Sequence, residues 1–161
     1  MKFLLTTGLL PTADELAPLT EDQNLAILES LFLTVIVDGV VEPTEVKAFA
    51  VSVLSYPWNW GQTPDVLKAK IDVVATRLRG TTRANMVPYL KGIGPRIPSP
   101  ILREKTFAGM FALMIADGHL DDKEKAAALG FAQVFDISQD RAVELITTVM
   151  DALKAALAAR R

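Results

Sequence analysis

Twice along this chain a run of apolar residues at helical spacing ends in Asp-Gly, and a second helical run restarts around a glutamate. The first occurrence is Asp38-Gly39 with Glu45 and the second is Asp117-Gly118 with Glu124, so both have the form Asp-Gly-x5-Glu. A shift of 79 residues superposes the two aspartates, and it aligns more than the motif. Leu28 meets Phe107, Phe32 meets Phe111 and Ile36 meets Ile115; beyond the turn, Val41 meets Leu120, Glu42 meets Asp121 and Glu45 meets Glu124. A structural unit used twice leaves this kind of fixed offset. Two helical hairpins can bury each other's apolar faces as an all-α bundle with pseudo-twofold symmetry.

Helix signals account for the rest of the chain. Thr20-Glu21-Asp22-Gln23 reads as a capping box, followed at helical spacing by Leu25, Leu28, Leu31, Phe32, Val35 and Ile36. Pro43 suits a first helical position, and Val46, Phe49, Ala50 and Val53 form the apolar stripe of a second helix that ends at Tyr56-Pro57. Trp58 to Gln62 is expected as a loop. Thr63-Pro64-Asp65 starts a third helix with Leu67, Ile71, Val74 and Leu78 on its apolar face and Gly80 as its stop. A short helix is expected over 82–91, and the glycines and prolines of Gly92 to Pro100 predict an irregular break. Ser99-Pro100 caps a helix through Leu102, Phe107, Met110, Phe111 and Met114. Another helix follows Asp121, and the last follows Ser138 with Val143, Ile146, Val149, Met150 and Leu153 on one face. The expectation is an all-α, single-domain bundle of about seven helices over 1–161, with an internally duplicated helix-turn-helix. Its repeat copies span 20–55 and 99–135, and a helical connector spans 63–91.

Composition narrows the function. Half of the 161 residues are apolar, which is enough for one real core, and the net charge of −2 offers no pull towards nucleic acid. With no cysteine and one histidine, disulfides and thiolate metal sites are excluded, so any metal must be held by oxygen or by His119. The stretch Met1 to Leu10 imitates a signal peptide, but Thr6, Thr7 and Gly8 break it and no small-x-small cleavage site precedes Asp14 and Glu15. A cytoplasmic protein is therefore expected. The apolar run Leu31 to Val37 stops at Asp38, too short to span a bilayer, which leaves peripheral membrane association open. Catalytic signatures are missing: there is no phosphate-cradling loop, nucleophile elbow or Ser/Cys–His pair, and a non-enzymatic role is expected.

The two motifs admit two readings. Gly39 and Gly118 suit left-handed residues at helix ends, Glu42 and Asp121 suit caps, and Glu45 and Glu124 suit the third position of a capping box. Asp38 and Asp117 are not explained in this way, because a carboxylate at the negative end of a helix dipole costs a few tenths to about 1 kcal/mol. Together with His119, the carboxylates Asp38, Glu42, Glu45, Asp117, Asp121 and Glu124 make candidate ligands for a divalent cation: calcium, magnesium, manganese or zinc. The spacing matches the second half of an EF-hand loop. The first-half positions, however, would be Thr34 and Ile36, or Leu113 and Ile115, inside a helix, so this is no EF-hand. The alternative is a metal-free helical scaffold that docks a protein partner, with Trp58 and Trp60 either covering the bundle's end or stacking on that partner.

The paired apolar helices ending in Val37-Asp38-Gly39 and Ala116-Asp117-Gly118-His119-Leu120-Asp121-Asp122-Lys123-Glu124, with Leu102-Arg103-Glu104-Lys105-Thr106-Phe107 upstream, resemble the tellurite-resistance TerB-like family. The resemblance implies an all-helical duplicated fold in a bacterial stress-response setting, cytoplasmic or peripheral to a membrane. It also implies an acidic surface that binds divalent metal, carried here by Asp38, Glu45, Asp117 and Glu124. The Gly92–Pro100 segment and the Trp58–Trp60 loop depart from that pattern.

Overall fold

Side-chain caps start several helices where the sequence marks them. The computed structural model describes residues 2–36, 43–61, 63–82, 84–116, 118, 120 and 122–159, which contain eight α-helices and no strand. After a 3-10 helix, Lys2–Thr6, comes α1 (Ala13–Leu16), a short helix that periodicity alone does not reveal. It is held by a complete capping box, in which Thr12 N donates to Glu15 Oε2 and Glu15 N donates to Thr12 Oγ1. The expected box at Thr20 opens α2 (Glu21–Ile36): Gln23 N donates to Thr20 Oγ1 at 3.2 Å and Thr20 N to Gln23 Oε1 at 2.9 Å. Then come α3 (Pro43–Leu54), α4 (Pro64–Arg77, capped by Thr63), α5 (Met86–Ile93) and a 3-10 turn, Gly94–Arg96. The chain continues through α6 (Pro100–Met114, capped by Ser99), α7 (Asp122–Val134) and α8 (Gln139–Ala158, capped by Ser138).

Three sequence expectations need correction. The segment from Gly92 to Pro100 is irregular only over Ile97 to Ser99, since α5 runs to Ile93 and the 3-10 turn follows directly. Pro95 sits at the start of that turn, where a missing N–H goes unused. Gly94 lets the turn approach α7 closely: a Cβ there would stand 2.9 Å from the Val134 carbonyl oxygen. The short helix begins at Met86 rather than Thr82, because Asn85 Oδ1 accepts from Thr82 N at 2.6 Å and holds a local turn instead. Val46 is 44% exposed and Val143 48% exposed, although both fit their apolar stripes. On α3 the buried residues include Phe49, Ser52 and Val53, and on α8 they include Ala142, Leu145, Ile146 and Val149, so each face is rotated away from the valine.

The buried side chains form one apolar cluster to which every α-helix from α1 to α8 contributes. α2 packs against α3 and α4, α6 packs against α7 and α8, and α2 and α6 lie against each other. Gly109 of α6 marks a close approach at that junction. A Cβ added there would lie 2.5 Å from Tyr56 Oη and 3.1 Å from Leu31 Cδ2. The N-terminal 3-10 helix is tied down against α8 and buries Leu4 completely.

Helix boundaries follow the 79-residue shift. Moving α2 by that amount gives 100–115 against 100–114 for α6, and moving α3 gives 122–133 against 122–134 for α7. The shifted α4 covers 143–156, inside α8, so the match extends to a third helix beyond the hairpin. Leu67 and Val74 of α4 correspond to Ile146 and Leu153 of α8, and all four are buried.

Candidate functional site

Both acid-rich segments fall at the same kind of junction, between a long apolar helix and the helix after it. In the first copy α2 ends at Ile36 and α3 begins at Pro43. Asp38 and Glu42 lie outside the described residues, as does the side chain of Glu45, the third residue of α3. In the second copy α6 ends at Met114, and its C-cap Ile115 is fully buried, with its N–H donating to Phe111 O. Gly118 adopts the left-handed backbone expected of it, φ +87°, and its N–H donates to Ile115 O at 2.9 Å. It stands three residues past the C-cap, so it shapes the turn rather than ending the helix. Asp117, His119 and Asp121 lie outside the described residues. Glu124 is half-buried in the first turn of α7, on the side of the helix dipole that favours a carboxylate. Among the described residues no group of three or more His, Asp or Glu side chains is placed to share a metal ion.

The most concentrated electrostatics lie elsewhere, around Glu29 of α2. This carboxylate is 0% exposed, on a helix whose neighbouring positions Leu25, Leu28 and Leu31 are core. Burial of an unpaired carboxylate would be prohibitive, and Glu29 is paired on both oxygens. Arg77 Nη1 of α4 donates at 2.6 Å to Oε1, Arg96 Nη1 of the 3-10 turn at 2.8 Å to Oε2, and the Tyr89 hydroxyl of α5 at 3.3 Å to Oε2. Arg96 also grips Asp22 in a two-pronged pair, Nε to Oδ2 at 2.8 Å and Nη2 to Oδ1 at 2.7 Å, and Nη2 donates to the Asp22 backbone oxygen. That pairing holds the Asp22 carboxyl below its ordinary pKa. Burial alone would loosen the Arg96 proton, but Glu29 and Asp22 more than reverse this and raise its pKa. Two guanidinium groups and two carboxylates balance, so the cluster works as a clamp that fastens α4, α5 and the 3-10 turn onto α2. Its signal in the sequence was Glu29 itself, an acid three and four positions from Phe32, Leu33 and Leu25 on an apolar stripe.

The tryptophan loop also has a structural role. Trp58 is 4% exposed and its Nε1–H donates to Val53 O at 2.8 Å. Tyr56, Trp58 and Trp60 stack in sequence with ring centroids 5.2 and 4.9 Å apart. The Lys70 ammonium sits 5.2 Å over the Trp60 ring and pairs with Glu21. Between the indoles, Asn59 donates from Nδ2 to Leu16 O at 3.0 Å and to Leu19 O at 2.8 Å, and accepts from Asn24 Nδ2. The loop therefore closes one end of the bundle by stacking and by bonding to carbonyls at the end of α1 and between α1 and α2.

Comparison with protein-family models, with curated proteins and with solved structures finds no match for this chain. Among the described residues no helix is long and apolar enough to cross a membrane.

Proposed function

We propose that this chain is a TerB-like, non-enzymatic binding protein of a bacterial stress or tellurite-resistance system, cytoplasmic, whose two Asp-Gly-x5-Glu turns hold divalent cations. The observation that carries this reading is the coincidence of helix boundaries under the 79-residue shift. In sequence, the acidic positions lie between these helices or in the first turn of the second, and the helices that precede them, α2 and α6, are packed together. Calcium, magnesium, manganese and zinc are the ions to test, with Asp38, Glu42, Glu45, Asp117, Asp121 and Glu124 as oxygen donors and His119 as a donor in the second turn only.

A cation that binds the folded chain raises its stability by mass action, by about 2.7 kcal/mol at one hundred times Kd. The test is thermal unfolding of EDTA-stripped protein with each ion in turn, for the wild type and for Asp38→Ala/Asp117→Ala. A saturable rise in Tm that the double variant lacks supports the reading; no rise with any ion refutes it. A second reading, a metal-free scaffold that docks a protein partner, has support in α3, where Val46, Val51 and Leu54 are exposed apolar residues on one helix. In that case the acids serve as helix caps and the ions leave Tm unchanged.

A further inference from the structure

We draw no further inference here: the strongest candidate, the shallow, half-polar surface that passes over Gly130 of α7 between α5 and the first turn of α8, is an unpartnered face with nothing in the structure to show what covers it.

Discussion

Replacing Arg96 with methionine removes the central member of the buried clamp while keeping much of the side chain's apolar length. Glu29 loses its bonds from Nη1 at 2.8 Å and Nη2 at 3.2 Å, and Asp22 loses its two-pronged partner. Breaking a buried ion pair from one side costs about 3–5 kcal/mol, because the remaining charge stays buried without compensation. Two features reduce that figure here. Arg77 still donates to Glu29 at 2.6 Å, and the Arg96 side chain is 25% exposed, so water reaches part of the site. The expected loss is about 2–3 kcal/mol, or about 5–10 °C in Tm for a chain of this size. Urea unfolding should show a lower midpoint at unchanged slope. Glu29→Met combined with Arg96→Met removes the stranded charge as well, so the pair should lose clearly less than the sum of the two single losses. An Arg96→Met loss below about 0.5 kcal/mol, in the range of ordinary surface substitutions, would refute the argument that Glu29 depends on this guanidinium.

Other outcomes follow from the same geometry. Gly109→Ala should destabilise by about 1–3 kcal/mol, since the new methyl meets the buried Tyr56 hydroxyl. Gly130→Ala, in the interior of α7 with nothing within 4 Å of the added carbon, should instead stabilise by up to about 1 kcal/mol; equal effects in urea melts would contradict the packing at α2–α6. Trp58→Ala should cost about 3–5 kcal/mol, measurable as a lower urea midpoint, and a near-neutral result would mean the indole is not core. The Asp22 carboxyl has a lowered pKa in the folded state, chiefly through its bond from Arg96, so its contribution is present above the ordinary carboxylate range and is lost as pH falls through the folded value. Wild-type stability should therefore fall on acidification below about pH 4, and the slope should flatten in Arg96→Met.

What could be read from the sequence was mostly local. Thr20, Thr63, Ser99 and Ser138 each precede a helix and bond to its first turn, an interaction that needs only three residues of context. The apolar period placed Leu28, Phe107 and Phe111 in the core for the same reason. Errors arose where distant elements decide. Val46 and Val143 satisfy a helical stripe, but which edge of the stripe is buried depends on the neighbouring helices. The glycine and proline signals around Gly94 and Pro95 read as a break, although close approach to α7 makes them a packed turn. The Glu29 clamp joins residues 48 to 74 positions apart, and no spacing rule identifies Arg77 or Arg96 as its partners. Within the candidate cation site, Gly118 showed the left-handed backbone expected of it.

The 79-residue shift also separates what the two segments it aligns share from what each has alone. Asp22, Glu29 and Arg77 of the clamp correspond to Ile101, Ala108 and Ala156, so the second copy has no equivalent of it. The first copy holds α5 and the 3-10 turn through charge, while α8 of the second packs on an N-terminal 3-10 helix that buries Leu4. Trp58 and Trp60 correspond to Ile137 and Gln139, so the aromatic stack is likewise private to the first copy. Both private features have a sufficient account in packing. Among the shared features, Leu28, Phe107, Phe111 and Ile115 belong to the core, Thr20 and Ser99 are caps, and Gly118 makes a turn. The three acidic pairs remain; Glu42 with Asp121 and Glu45 with Glu124 suit caps, whereas Asp38 and Asp117 each follow a helix whose end already carries partial negative charge. A cation reverses that cost, and caps alone do not require it. The wild type and Asp38→Ala/Asp117→Ala should therefore differ in metal response far more than in metal-free stability. If instead the double variant is the more stable of the two in EDTA and no ion restores the difference, the aspartates are an unrelieved cost and the cation reading fails.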